Sequence, residues 1–242
     1  MAGYLQDQHQ RAWLKAGIGA GTTVAMAAMA AVPFEAEAAS LTQAQRNAMT
    51  PDQVIDMLKQ GNARFRAGKG QAHDYLAQKR SSAAGQYPAA VILSCIDSRA
   101  PAEIILDTGI GDTFNGRIAG NIANPDLLGS MEFACAAAGA KVVLVMGHTA
   151  CGAVAGAIDG VELGNLTGLL KVIRPAVDAT RFSGERSGKN PAFVDAVAAA
   201  NVQRTVDAIR KGSPILADLE KQDKIKIAGS MYDLSNGMVT FL

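Results

Sequence analysis

Two uninterrupted apolar runs constrain the fold of this chain more than any other feature of its sequence. One runs from Ala89 to Ser94 and the other from Lys141 to Met146. Apolar runs of this length, without the alternation of a half-exposed strand, are typical of central parallel strands that helices cover on both faces. The sequence therefore predicts an α/β fold with a central, mostly parallel sheet flanked by helices.

The segments around these runs supply the other predicted elements. Thr50, followed by Pro51 and by Gln53 three residues after the cap, indicates the start of a helix that lasts until about Gly68. Asn236 and Gly237 indicate a tight hairpin, so residues 239–242 are predicted to fold back as a C-terminal antiparallel strand. Further strands are expected at 113–118 and from Ile225, and helices at 125–138, 166–177 and 191–209.

Side chains that bind metals follow both apolar runs. Cys95 comes directly after the first, and His148 and Cys151 come after the second. Two thiolates and one imidazole suit a tetrahedral zinc ion, and three protein ligands leave the fourth position open for chemistry. Because open α/β sheets bind ligands beyond the carboxyl ends of their strands, both segments are predicted to meet at one edge. The alternative is that these are ordinary core residues, since free cysteine is among the most buried residue types.

A carboxylate and a guanidinium lie beside the first predicted ligand. Asp97 and Arg99 are two residues apart, which allows an ion pair at the edge of the metal site. The cation in such a pair lowers the pKa of the carboxylate. The alternative is an ion pair that only stabilises the fold.

Three segments of the chain carry a resemblance to a known family. They are Cys95–Asn121, Gly147–Val154 and Ala228–Val239. Together they resemble the β-class carbonic anhydrases, and the likeness extends from about Thr50 to the C-terminus. One departure is visible: Asn115 and the glycine after it stand where the family usually has two apolar residues.

The resemblance implies a function and a set of site residues. It implies zinc held by Cys95, His148 and Cys151, and reversible hydration of carbon dioxide to bicarbonate and a proton by hydroxide on that zinc. Asp97 would accept a hydrogen bond from the hydroxide, and Arg99 would pair with Asp97 and orient it. In a second, inactive state implied by the family, Asp97 itself becomes the fourth zinc ligand. The fold of the family also implies a homodimer or higher homo-oligomer with the active-site cleft at the subunit interface.

Two other functions remain open at this point. Relatives that share these motifs include hydrolases of carbon disulfide and carbonyl sulfide, which differ mainly in the access tunnel. A non-catalytic zinc protein is the third possibility, although a purely structural site would need neither an open fourth position nor the pair formed by Asp97 and Arg99.

Residues 1–38 are predicted to be a signal peptide rather than part of the fold. A basic start at Arg11 and Lys15 precedes a mild apolar run, and an Ala-x-Ala site follows at 36–38. The start resembles a twin-arginine signal with Gln10 in place of the first arginine, and the general secretory route is the alternative. The prediction is a periplasmic protein with one catalytic domain at 39–242.

The charge balance of the chain argues against some classes of binding partner. The chain has 23 basic and 22 acidic residues without a basic block, which argues against nucleic-acid binding, and no membrane contact is expected after signal removal.

Cys135 is expected in the core and His73 in a solvated loop. Arg117 is expected either to line the pocket or to form a structural salt bridge. Turn or cap positions are expected for Asp107, Asp112 and Asp126.

Overall fold

The computed structural model describes residues 39–242, and the predicted signal peptide lies outside them. Their sheet has five strands in the order β2-β1-β3-β4-β5, of which the first four are parallel and β5 pairs antiparallel with β4. The predicted mostly parallel sheet with a C-terminal antiparallel strand is confirmed. The strands are β1 (Ala90–Ser94), β2 (Thr113–Arg117), β3 (Val142–His148), β4 (Lys226–Tyr232) and β5 (Val239–Phe241).

Helices before and between the strands cover the sheet. They are α1 (Gln43–Ala48), α2 (Pro51–Arg66), α3 (Tyr75–Ser82), α4 (Ala102–Ile105), α5 (Pro125–Glu132), α6 (Gly152–Asp159), α7 (Gly164–Ala179), α8 (Pro191–Gly212) and α9 (Pro214–Lys221). Within residues 39–242, none of these helices is both long enough and apolar enough to cross a membrane.

The two central strands are buried along their whole length, as their continuous apolar sequences predict. Because side chains alternate along a strand, successive residues enter different cores. Ile92 and Leu144 pack with α2 and α4 on one face, whereas Leu93 and Val145 pack with α5, α8 and α9 on the other. Burial on both faces fixes the carboxyl ends of β1 and β3 firmly beside each other.

Local sequence signals set the ends of several elements. The side chain of Thr50 accepts a hydrogen bond from the backbone N–H of Gln53, and the Gln53 side chain accepts one from the backbone N–H of Thr50, which is the predicted capping box. The hairpin also forms: Gly237 adopts φ 74°, and the Asp233 N–H donates to the Met238 carbonyl. Both features depend on contacts a few residues apart, which is why the sequence alone predicts them.

The predicted helix at 125–138 is wrong in one respect. The α-helical part ends at Glu132, and Phe133–Ala137 form a π-helical turn in which the Ala138 N–H donates to the Phe133 carbonyl. Gly139, at φ 81°, then turns the chain toward β3. Hydrophobic periodicity does not distinguish one widened turn from regular α-helix, so this detail depends on packing against the sheet.

Candidate metal centre

The carboxyl ends of β1 and β3 bring the predicted ligands together. Cys95 directly follows β1, His148 is the last residue of β3, and Cys151 immediately precedes α6. β1 and β3 are paired neighbours, with Ser94 opposite Met146, so the two segments emerge side by side. All three side chains are buried, and their ligand atoms lie within 4.8 Å of one another.

The imidazole of His148 is oriented toward this cluster. Its Nδ1 lies 2.8 Å from the Thr149 carbonyl oxygen, which can only accept a hydrogen bond, so Nδ1 carries the proton. Its Nε2 is buried and has no hydrogen-bond partner among the described residues. A buried ring nitrogen without a partner costs free energy, and a histidine with its other nitrogen fixed by a carbonyl is the usual form of a metal ligand.

The two thiols influence each other's ionisation. The pKa of Cys95 is lowered to about 4, chiefly by a hydrogen bond from Cys151, with further help from His148 and the Gly120 N–H. The pKa of Cys151 is raised by the Cys95 thiolate beside it and by burial. At neutral pH the pair therefore carries one negative charge and one proton, which binding of a divalent cation would release.

These three residues fit a zinc ion by their donor chemistry. A cysteine thiolate, a second cysteine and a neutral histidine match the ligand types that zinc takes in catalytic sites with an open position. Burial alone would lower the pKa of His148, but the Cys95 thiolate, the Thr149 carbonyl and Asp97 outweigh it and raise that pKa. A bound cation would reverse this shift, because it adds a positive charge beside the ring.

Asp97 and Arg99 form a two-pronged ion pair at the edge of the cluster. Arg99 donates from Nε to Oδ1 of Asp97 at 2.9 Å and from a terminal nitrogen to Oδ2 at 2.8 Å. Oδ2 of Asp97 also lies 3.8 Å from Nε2 of His148. Hydrogen bonds from the Arg99 side chain hold the pKa of Asp97 well below its usual range, so this carboxylate is ionised at neutral pH.

Three residues support the first ligand segment from elsewhere in the sequence. Arg117 donates to the backbone carbonyls of Cys95 and Asp97 at 2.9 Å and 2.6 Å. The Gly120 N–H donates to Sγ of Cys95 at 3.4 Å, and the amide of Asn201 on α8 holds the Gly120 carbonyl at 2.8 Å. Arg117 therefore braces the backbone and forms no ion pair within residues 39–242. No sequence signal predicted the contact of Asn201.

The prediction for His73 is wrong. Its side chain is only 6% exposed, its Nε2 lies 3.4 Å from Oδ1 of Asp107, and its ring stacks on Tyr75. Asp107 is also more than a turn residue, because its buried carboxylate accepts a hydrogen bond from Arg64 at 2.5 Å. Contacts between α2, α3 and the segment after α4 bury this group, and the polar sequence around His73 does not reveal them.

The other interpreted residues lie away from the metal centre. Asp112 accepts the Gly109 N–H within a turn, as expected, whereas Asp126 lies in the first turn of α5 and Asn124 is the residue that caps it. Cys135 is a core residue, and burial raises the pKa of its thiol to about 12.

Comparisons with known proteins agree on one family. The family model described as carbonic anhydrase matches residues 90–239. Carbonic anhydrase 2 of Mycobacterium tuberculosis is 36% identical over 182 residues, which is 74% of this chain and 87% of that protein. The carbonic anhydrase of Mycolicibacterium smegmatis is 34% identical over 184 residues, 75% of this chain and 88% of the other.

The fold agrees as well. A tetrameric β-carbonic anhydrase of the ascomycete Sordaria macrospora superimposes with a TM-score of 0.61 at 27% identity, covering 79% of this chain and 97% of that one. The chain therefore belongs to the β-carbonic anhydrase family, whose members are lyases.

Proposed function

We propose that this member of the β-carbonic anhydrase family catalyses the reversible hydration of carbon dioxide to bicarbonate and a proton, with zinc held by Cys95, His148 and Cys151. One observation carries the proposal. Nε2 of His148, which has no hydrogen-bond partner within residues 39–242, lies beside two buried thiols, and the ionised carboxylate of Asp97 is 3.8 Å from that nitrogen. The open side of a three-ligand site thus faces a fixed hydrogen-bond acceptor.

Zinc in this site would lower the pKa of a water molecule from about 15.7 toward neutrality and so supply hydroxide for attack on carbon dioxide. Cys95 and Cys151 would bind as thiolates, and their two negative charges would offset the charge of the cation. His148 would bind through Nε2, because the Thr149 carbonyl holds the proton on Nδ1.

Asp97 would act as the acceptor that orients the nucleophile. Its ionised carboxylate would accept a hydrogen bond from the hydroxyl group of the nucleophile and so hold that group in one orientation. Arg99 keeps Asp97 ionised and fixes the plane of the carboxylate through its two hydrogen bonds. In a proposed inactive state, Asp97 would leave Arg99 and would itself help to hold the metal.

The experiment that tests this function joins metal content with activity. Purified protein should contain about one zinc per chain and should accelerate carbon dioxide hydration in stopped-flow assays. The same preparation is assayed for hydrolysis of carbon disulfide and carbonyl sulfide. Zinc with hydrolysis but without hydration would replace the proposed substrate, and zinc without either activity would indicate a non-catalytic site.

We also propose that the protein is a homodimer or higher homo-oligomer. β2 is an edge strand of the sheet, and the large apolar side chain of Phe133, near that edge in the π-helical turn, is 55% exposed. Exposed strand edges and apolar side chains favour association. Light scattering coupled to size-exclusion chromatography tests this, and a monomer at assay concentration would contradict it.

Export is the last part of the proposal. The basic start, the apolar run and the Ala-x-Ala site of residues 1–38 support cleavage near Ala39 and delivery to the periplasm, with the twin-arginine route preferred. N-terminal sequencing of protein from a periplasmic fraction tests this. Uncleaved protein found solely in the cytoplasm would contradict it.

A further inference from the structure

The turn between the second and third ligands has a strained conformation. Thr149 and Ala150 join His148 to Cys151, and Ala150 adopts φ 51°. A left-handed conformation is unfavourable for alanine, because its Cβ crowds the backbone, and it persists only where the surroundings impose it. The direction of the Cys151 side chain depends on this turn, since Cys151 is the next residue.

All four backbone polar groups of the turn have partners. The Thr149 N–H donates to the Tyr232 carbonyl at 3.0 Å, and the Thr149 carbonyl accepts from His148. The Ala150 carbonyl accepts from Arg99 at 3.4 Å, and the Ala150 N–H donates to Oδ1 of Asp195 at 2.8 Å. Asp195 lies 45 residues further along the chain, on α8.

Among the described residues, Asp195 neither caps its helix nor forms an ion pair. The cap of α8 is Asn190, whose side chain accepts the Ala192 N–H. Within residues 39–242 the carboxylate of Asp195 forms no ion pair, and its hydrogen bond to Ala150 is its one side-chain contact of this kind. α8 is nevertheless well placed to hold it still, because Val194 and Val197 pack in the same buried cluster as Cys151.

We infer that Asp195 is a positioning residue for the metal site: its carboxylate holds Ala150 in the left-handed turn that presents Cys151 beside His148. The inference rests on the proposed function, because it requires that these two residues bind zinc. Asp195 is then the second residue of α8 that supports the site, because Asn201 on the same helix already donates a hydrogen bond to the Gly120 carbonyl beside the Cys95 segment. Both ligand segments are thus supported from one helix.

Asp195→Ala tests the inference through metal release. Zinc transfer from the loaded protein to a chelator should become about tenfold faster, because loss of a partner that orients a ligand typically weakens metal binding by about 10- to 100-fold. Asp195→Asn should stay within about threefold of wild type, because its amide oxygen accepts the same hydrogen bond without the charge. Asp207→Ala is the matched control on α8, since Asp207 is exposed and faces Arg210.

A second substitution separates positioning from general stability. Ala150→Gly removes the crowding that opposes the left-handed turn. In the Asp195→Ala background it should therefore recover a large part of the lost metal retention, whereas the two changes should simply add if Asp195 acts elsewhere. The visible absorption of the cobalt-substituted protein should change in Asp195→Ala and return toward wild type in the double variant.

The outcomes are distinct. Wild-type protein that binds neither zinc nor cobalt would overturn the proposed function together with this inference. Wild-type protein that binds zinc, with Asp195→Ala releasing it at the same rate, would overturn the inference alone. The inference alone would also be overturned by a different result: Asp195→Ala releases zinc faster, Ala150→Gly does not slow that release, and thermal unfolding of the metal-free variants shows a lowered Tm in Asp195→Ala.

Discussion

Two arginine–carboxylate pairs in this protein have nearly the same geometry and very different surroundings. Arg99 contacts Asp97 through two hydrogen bonds of 2.9 Å and 2.8 Å, and Arg210 contacts Glu220 through two of 2.7 Å and 3.0 Å. In both pairs the pKa of the carboxyl group is lowered. Neither the double hydrogen bond nor the lowered pKa of the carboxyl group distinguishes a catalytic pair from a structural one.

The neighbours make the difference. Oδ2 of Asp97 lies 3.8 Å from Nε2 of His148, a nitrogen with no hydrogen-bond partner in the described part of the chain. Glu220 instead accepts the Ile227 N–H at 3.0 Å, and Arg210 donates to the Ile227 carbonyl at 2.9 Å, so this second pair ties α8 and α9 to β4. A charge pair therefore indicates function only through the group that it faces.

Loss of a proposed ligand should have the largest effect. Cys151→Ser replaces a thiolate by a hydroxyl, which is a much poorer zinc ligand, so most of the zinc and of the hydration activity should disappear. Cys135→Ser is the matched control, because that thiol lies in the core away from the cluster. Metal analysis and stopped-flow assays measure both, and full zinc with full activity in Cys151→Ser would refute the assigned site.

Breaking the two pairs should separate their roles most directly. Asp97→Asn and Arg99→Ala should each lower the hydration rate about a hundredfold or more while zinc stays near one per chain. In the proposed mechanism, Arg99→Ala would also free Asp97 to become the fourth metal ligand. Arg210→Ala should leave the rate per folded molecule unchanged. If all three variants behaved alike in the rate assay, the functional distinction between the pairs would be lost.

The structural pair should instead appear in the stability of the fold and in its dependence on pH. Burial raises the pKa of Glu220, but Arg210 and the Ile227 N–H outweigh it, so the pKa in the folded state lies below 4.5. Its contribution is therefore present above about pH 4.5 and is lost as the pH falls through the folded-state value. Glu220→Gln should lower the free energy of unfolding by about 1 kcal/mol at pH 7.

Urea unfolding at pH 7 and at pH 3 measures this difference. The gap between wild type and Glu220→Gln should shrink at the lower pH, because Glu220 in the unfolded wild-type chain is largely protonated there and folding must then release that proton. A gap of the same size at both values would show that the carboxylate charge is not the source of the stabilisation.

An exposed pair on α7 should give the smallest effect. Arg174 and Asp178 are 3.2 Å apart, but their side chains are 52% and 64% exposed. Exposed pairs four residues apart on a helix contribute about 0.3–0.5 kcal/mol. Asp178→Ala should therefore lower the unfolding free energy by no more than this amount, and it should leave the hydration rate unchanged. A loss comparable with that of Glu220→Gln would mean that solvent exposure is a poor guide to the strength of these pairs.

Features that depend on neighbours in the sequence were predictable. The apolar runs of β1 and β3 require burial on both faces wherever they lie, and parallel strands place their carboxyl ends together. The position of Cys95, His148 and Cys151 at one edge of the sheet therefore follows from the order of residues along the chain. Asp97 and Arg99 belong to the same turn as Cys95, so their contact also follows from proximity along the chain.

Features that depend on packing between distant segments were not predictable. The polar sequence near His73 suggests solvent, yet contacts with Asp107 and Tyr75 bury that side chain. Asn201 and Asp195 look like ordinary helical residues of α8 until that helix docks against the ligand segments.

The order of residues along the chain is enough to predict the sheet and the edge at which Cys95, His148 and Cys151 meet, because hydrophobic burial and strand direction act wherever the pattern occurs. The way in which these three residues are held depends instead on packing between distant segments. The hydrogen bonds that Arg117 donates to the Cys95 segment, and the one that Asp195 accepts from the left-handed turn at Ala150, each join groups at least twenty residues apart. Such contacts form only after the helices and strands have packed, so no local pattern records them.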